Sequence, residues 1–270
     1  MNRNIVTVPV RRVGAGGTGP KQDFVAVEEP LEIRIGGRNV AITMRTPGHD
    51  RELAAGFLFT EGILQSSPQI EEIVGPEPNV ADVRIAQGVV LDLERLNRHF
   101  YMSSSCGVCG KASIESLENA GCPMLARDRP VVEAAVIHAL PEVLRAQQAV
   151  FQRTGGLHAA ALFDVAGRLV ELREDVGRHN ALDKLIGKSF LGGSLPLGEH
   201  ILLLSGRVSF ELVQKALMAG IAIIAAVGAP SSLAVEMALR FGLTLAGFVR
   251  GGRFNVYAGE WRLRRGSVRV

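Results

Sequence analysis

Ile201-Leu-Leu-Leu204, Phe210-Glu-Leu-Val-Gln-Lys-Ala-Leu-Met218, Ile221-Ala-Ile-Ile-Ala-Ala-Val227, Leu233-Ala-Val-Glu-Met-Ala-Leu-Arg-Phe241 and Thr244-Leu-Ala-Gly-Phe-Val249 follow one another with only short Gly-, Pro- or Ser-containing joints. Short unbroken apolar runs read as strands buried on both faces, and the longer amphipathic runs between them read as helices. That alternation predicts a three-layer α/β domain with parallel strands at its centre. Working outward, His158–Phe163 and Leu169–Leu172 flank a polar Asp164–Arg168 turn and predict a hairpin, with a helix from about His179 to Gly187. Upstream, Pro130 to Ala149 spaces Ile137, Leu140, Val143 and Leu144 as the inner face of a helix, with Pro141 as a candidate kink. Downstream, a last hairpin runs through Asn255–Tyr257. This α/β domain is expected over residues 131–270.

A smaller α+β domain is expected over residues 23–130. Phe24–Val27, Leu31–Ile35 and Val40–Met44 read as strands, the last two as a hairpin about Gly36-Gly37. Thr46-Pro-Gly-His-Asp50 opens a helix through Thr60, with Thr46 or Asp50 as cap, Leu53, Phe57 and Leu58 inward, and His49 as a capping or surface residue. Strand-like runs follow at Ile70–Val74, Val83–Ile85 and Val89–Leu93. Residues 1–22, rich in glycine, are expected to be a flexible terminus.

Apolar content of 47% and charged content of 21% over 270 residues fit a globular protein with a sizeable core. A net charge of +3 is too small for wholesale nucleic-acid binding, so any basic site must be local. Three cysteines do not make a disulfide framework. With no signal-type apolar start and no run of membrane-spanning length, the expectation is a cytoplasmic protein in a reducing compartment.

Two of those cysteines lie in Tyr101-Met-Ser-Ser-Ser-Cys-Gly-Val-Cys-Gly-Lys111, ahead of a helix expected from Ser113 to about Gly121. Lys111 and the helix start would favour thiolates at Cys106 and Cys109. Three chemistries suit such a loop. Space-filling thiols usually have apolar flanks, whereas these sit among serines and glycines. A zinc site needs further ligands, and the chain offers Cys122 and scattered histidines. A redox or sulfur-carrying pair suits the spacing best, because one sulfur can attack a sulfur bound to the other.

Ligands of open α/β sheets gather beyond the carboxyl ends of strands, near helix N-termini. Glu174-Asp-Val-Gly-Arg-His-Asn180, Ser205-Gly-Arg-Val-Ser209 and Phe248-Val-Arg-Gly-Gly-Arg253 each place arginine beside glycine at such an end, which suits phosphate oxygens. Thr154-Gly-Gly-Leu-His158 adds a flexible turn whose histidine reads equally as a backbone-bonded loop residue or a ligand contact. No dinucleotide Gly-x-Gly-x-x-Gly fingerprint or Walker loop occurs, which disfavours an ordinary nicotinamide enzyme or kinase.

In their joint order, Val27-Glu-Glu-Pro-Leu31, Met44-Arg-Thr-Pro-Gly-His49, Gly56-Phe-Leu-Phe-Thr-Glu-Gly62, Ser104-Ser-Cys-Gly-Val-Cys-Gly110, Thr154–His158, Glu174–Lys184 and Ser205–Arg207 give a chain that resembles the FdhD family, the sulfur carriers of formate dehydrogenase maturation. The resemblance covers nearly everything after residue 23. It implies a sulfurtransferase that accepts persulfide sulfur from a cysteine desulfurase, with Cys106 as carrier and Cys109 as partner. It implies transfer of that sulfur to a molybdenum (or tungsten) cofactor carrying two pterin guanine dinucleotides, for the benefit of formate dehydrogenase. The family's cofactor-binding stretch falls on Phe248, Val249, Arg250, Gly251, Gly252 and Arg253, with Arg178, His179 and Arg207 as further candidates. A homodimer is implied, and neither nucleic acid nor membrane is an expected partner. The resemblance also implies a second domain similar to cytidine deaminase. Here the corresponding helix starts, His179-Asn-Ala181 and Ser205–Ser209, lack the deaminase glutamate and cysteine pair, so no zinc and no resident metal is expected. A non-catalytic chaperone that only delivers the cofactor, and a zinc-dependent deaminase, are the competing functions.

Overall fold

The computed structural model of the protein describes residues 4–14, 17–91, 122 and 124–264. Cys106, Cys109 and the helix expected from Ser113 lie outside the described residues. At the start of the chain, β1 (Ile5–Gly14) pairs antiparallel with β2 (Gly17–Ala26), from Ile5 opposite Ala26 to Gly14 opposite Gly17. Residues 5–14 and 17–22 of the terminus expected to be flexible thus lie in the strands of a hairpin. Val6, Val8 and Val10 alternate with a period of two, and Pro9 and Pro20 are compatible with a two-stranded ribbon because each strand has a free edge.

β3 (Glu29–Ile35) and β4 (Arg38–Arg45) flank Gly36 and Gly37, whose φ values of +55° and +81° are those a tight two-residue hairpin turn needs. Next comes α1 (Asp50–Thr60), and its N-cap position is held by His49 in the left-handed region at φ 59°, with no side-chain cap. The expected caps are engaged elsewhere. Asp50 takes the Arg45 guanidinium at 2.9 and 3.0 Å, and the Thr46 hydroxyl accepts from the Val176 amide at 3.2 Å. β5 (Ile70–Val74) and β6 (Val80–Ile85) complete a sheet of order β4-β3-β6-β5. Residues 89–91 are not in a strand, contrary to the expectation for Val89–Leu93, and 92–93 lie outside the described residues.

The second half opens with β7 (Val132–Glu133) and α2 (Ala134–Gln147), which continues as one element through Pro141, then the short α3 (Ala149–Thr154). There follow β8 (His158–Phe163), β9 (Leu169–Asp175), α4 (Arg178–Leu191), β10 (Ile201–Leu204), α5 (Phe210–Met218), β11 (Ile223–Ala226), α6 (Ser232–Phe241), β12 (Thr244–Arg250), β13 (Arg253–Ala258) and β14 (Leu263–Arg264). Six strands form one sheet in the order β13-β12-β11-β10-β8-β9. β10, β11 and β12 are parallel, and β8, β9 and β13 run antiparallel to their neighbours. β14 pairs in parallel with β7.

Alternate residues of these strands face opposite ways, and both faces are covered. Ala159, Ala161, Phe163, Leu203, Ala225 and Val249 pack with Ile137, Leu140 and Leu144 of α2. On the other face, Ala160, Leu162, Leu202, Leu204, Ile224 and Leu245 pack with α4, α5 and α6 through Leu182, Leu185, Val213, Leu217, Met237 and Phe241. The chain is thus the expected three-layer α/β arrangement with parallel strands at its centre. The second of these cores does not stop at α4. It runs on through Leu53 and Leu58 of α1 to Leu31, Ile33 and Val83 of the smaller sheet. α1 and α4 touch backbone to backbone: a Cβ on Gly56 would lie 1.9 Å from the Asp183 carbonyl oxygen, and one on Gly187 1.8 Å from that of Glu52.

Candidate functional site

The carboxyl ends of the three parallel strands are tied into a continuous edge. The Gly228 amide donates to the Gly206 carbonyl at 3.1 Å, and the Phe248 amide donates to the Gly228 carbonyl at 3.1 Å. A Cβ on Gly228 would stand 2.7 Å from the Gly206 oxygen, so this approach requires glycine. Along that edge lie the Ser205–Ser209 and Phe248–Arg253 segments singled out in the sequence.

His158 enters the edge at the first residue of β8, directly opposite Asp175 of β9. A Cβ on Gly206 would be 3.2 Å from its Nδ1, so the bare glycine makes room for the ring. The Ser205 hydroxyl accepts from the Ala159 amide at 2.8 Å, fixing β8 against the loop that carries Arg207. Burial lowers the pKa of His158, and Arg178, His179 and Arg207 lower it further, against a smaller opposing pull from Asp175. Three of the candidate residues thus act electrostatically on one ring. Their charge is tempered by Glu211, whose carboxylate lies 3.8 Å from His179 and whose pKa falls to about 2 through that partnership. His179 also meets the Ser209 hydroxyl at 3.3 Å.

The Glu174–Lys184 stretch divides its work. Asp175, fully buried, accepts from the Thr46 and Gly177 amides at 3.1 and 2.8 Å and pairs with the Lys184 ammonium at 2.6 Å. Lys184 also donates to the Thr46 carbonyl at 2.7 Å, and Asn180 to that of Met44 at 2.7 Å. These residues clamp α4 to the strand and turn of Met44–Thr46 and leave Arg178 and His179 for the edge. That split was invisible in the sequence, as was the part of Ser209, whose only signal was a serine just ahead of a helix.

At the end of β12, Phe248 has φ 55° and the turn glycines 251 and 252 have φ 56° and 69°. Arg250 and Arg253 are paired directly across this turn, both exposed, with the Arg250 guanidinium 5.6 Å from the Phe248 ring. Like charges opposite one another on a hairpin repel, and an anion between them relieves that repulsion. Val249, by contrast, is fully buried against α2 and offers a ligand only its backbone.

Cys122, the third cysteine, is a free buried thiol whose burial pushes its pKa up to about 11. Held as a thiol at neutral pH, it is a poor nucleophile.

Residues 26–264 match the model of the FdhD/NarQ family. The chain belongs to that family. Relatives carrying the name sulfur carrier protein FdhD include one from Streptomyces avermitilis, 53% identical with 94% of each chain covered, and one from Sulfolobus acidocaldarius, 45% identical with 95% of this chain and 97% of that one covered. A crystal structure described as that of a formate dehydrogenase accessory protein from Desulfotalea psychrophila superposes with a TM-score of 0.75 at 25% identity, over 96% of this chain and 99% of that one. The family match spans the four-stranded and six-stranded sheets, the Gly56–Gly187 crossing and the whole carboxyl edge.

Proposed function

We propose that this protein is a sulfur carrier of formate dehydrogenase maturation, working through a cysteine persulfide on the Cys106–Cys109 loop. Membership of the FdhD/NarQ family, with relatives named as sulfur carriers at 45–53% identity over nearly their full length, is the observation that carries this reading. In the first step the Cys106 thiolate attacks the terminal sulfur of a desulfurase persulfide. A new S–S bond forms as the old one breaks, and the electron pair leaves with the desulfurase thiolate. Attack by Cys109 on Cys106 Sγ then releases hydrosulfide, the two thiols supplying its two electrons as they become a disulfide.

The acceptor is a molybdenum cofactor bearing two pterin guanine dinucleotides, bound as substrate. Its pyrophosphates suit Arg250, Arg253 and the Gly251-Gly252 amides, with Arg178, His179 and Arg207 further along the same edge. A ligand of that length exceeds one small pocket, so two subunits are taken to share it. The cysteine desulfurase and formate dehydrogenase are the protein partners, in the cytoplasm.

Incubation with a cysteine desulfurase and cysteine, followed by mass spectrometry, should find one added sulfur on a peptide containing residue 106 or 109. Replacing both with alanine should abolish loading while GDP binding persists. Sulfur loading of that double variant would refute the carrier mechanism. A wild type that binds GDP but never acquires sulfur would leave a cofactor-delivery chaperone in its place.

A further inference from the structure

The positive ends of α4 and α5 meet at the carboxyl edge of the main sheet. α4 starts after Gly177 and α5 after Ser209, and at neither start does a side chain of the N-cap residue accept a helix amide. The next helix, α6, does have that bond, with the Ala234 amide donating to the Ser231 hydroxyl at 3.3 Å. The first amides of α4 and α5 thus keep their partial positive charge at a place that also carries Arg178, His179 and Arg207.

One carboxylate meets this charge. Glu211 stands in the first turn of α5, with Oε2 3.8 Å from His179 Nε2, and it also accepts from the Ser209 hydroxyl and from its own backbone amide. The same His179 nitrogen lies 3.3 Å from the Ser209 oxygen, so ring, hydroxyl and amide form one cluster of donors across the two helices. An imidazole, a hydroxyl and a helix-terminal amide are the groups that bind a phosphate oxygen at a helix start. Here a side chain of the protein takes them. His179 above all, then Ser209 and the amide, hold the carboxyl pKa at about 2 against the cost of burial, so the group is ionised at neutral pH. The Glu211 side chain is still 58% exposed and can turn into water without disturbing the core behind it.

We propose that Glu211 is a built-in counter-anion of this edge, holding the His179 and Ser209 donors that a phosphate group takes, so that a phosphate binds by exchange with the carboxylate. Exchange sets a threshold of charge. A singly charged anion gains nothing over the carboxylate it displaces, whereas a pyrophosphate with several charges does. Small carboxylates are thereby turned away from a strongly cationic surface. This role rests on the reading of Arg178, His179 and Arg207 as a phosphate-binding edge, and goes beyond it by naming the group that limits the affinity of that edge and selects among anions.

In an NMR titration of the full-length protein with inorganic pyrophosphate, the His179 ring resonances report occupancy of this edge. Glu211→Gln should bind pyrophosphate about fivefold more tightly at low salt, a gain that loss of a merely structural residue would not produce. At constant ionic strength, acetate should compete with pyrophosphate in the variant and not in the wild type. Glu142→Gln, the same change of charge on the exposed face of α2, should leave the affinity as it was. An acidic residue in a first turn also stabilises its own helix. If that is all Glu211 does, the variant loses some thermal stability and binds pyrophosphate no more tightly, and the counter-anion role is refuted. Equal tightening in Glu142→Gln would refute it as well, as an effect of net charge alone. If His179 responds to pyrophosphate in neither the wild type nor Glu211→Gln, the phosphate reading of the edge falls, and the role falls with it.

Discussion

A histidine set among cations gives up its proton more readily than one in water, and His158 is half-buried beside Arg178, His179 and Arg207. Its pKa lies below the ordinary 6.5, so as pH falls through that value the unfolded chain takes up a proton that the native chain still refuses. This group therefore removes stability on the acid side and is neutral in its effect above it. In an NMR titration the His158 ring should protonate below pH 6.5, and Arg178→Gln should move its midpoint upward; an unmoved midpoint would mean that Arg178 does not face the ring. Pyrophosphate should raise the same midpoint in the wild type, because a bound anion rewards the imidazolium. Cys122 gives a complementary case. With its pKa near 11, only about a thousandth of it is thiolate at pH 8. Alkylation of Cys122 by iodoacetamide, followed by peptide mass spectrometry, should run about a hundredfold slower in the native protein than in denaturant.

Between elements, the decisive contact is the crossing of α1 and α4, where two glycines let backbones meet. Gly56→Ala or Gly187→Ala has to push apart helices whose carbonyls lie within 2 Å of the added methyl, and should cost about 3 kcal/mol or more, read as a drop in the denaturation midpoint. Below the crossing, Lys215 donates to Thr60 at 2.9 Å and reaches Glu61 and Asp183 at 3.0 Å each. Burial disfavours its ammonium, but the two carboxylates more than offset that and raise its pKa. Lys215→Met strands Asp183 and should cost about 3–5 kcal/mol at pH 8, with a smaller deficit at pH 5, where Asp183 can take a proton instead. The sequence disclosed much at this scale. Ile70–Val74 was legible to the residue because its β-branched residues lie between Ser67-Pro68 and Gly75-Pro76, and Gly36-Gly37 announced its hairpin through the turn it must make. It did not disclose that Gly56 is a contact rather than a weak point of its helix, nor that Asp175 and Lys184 face inward while Arg178 and His179 face the edge. Those facts depend on α1 and the Met44–Thr46 segment, which lie more than a hundred residues away and carry no local signal. The hairpin of β1 and β2 was hidden for the opposite reason, since its glycines and prolines speak louder locally than three alternating valines.

For the molecule as a whole, these contacts decide whether the two sheets act separately or together. A division near residue 130 follows from the change of pattern in the sequence, yet one apolar core runs from Leu31 to Ala258 through the α1–α4 crossing. Without α1, α4 would expose Phe190, whose ring sits 5.0 Å from that of Phe59, and the bare backbone of Gly187 to water, and Asp175 would lose the Thr46 amide. The full-length chain should therefore unfold in urea as a single transition, with Trp261 emission and far-ultraviolet circular dichroism tracing the same curve. Trp261 lies on the opposite side of the main sheet from the crossing, yet Gly187→Ala should shift both traces by the same amount. A fragment of residues 131–270 should show no cooperative transition of its own. Were that fragment to fold, or were the two probes to separate in the parent chain, the crossing would be a docking contact between independent units, and the edge carrying Arg178 and His179 would be free to move against the half that bears the cysteine loop.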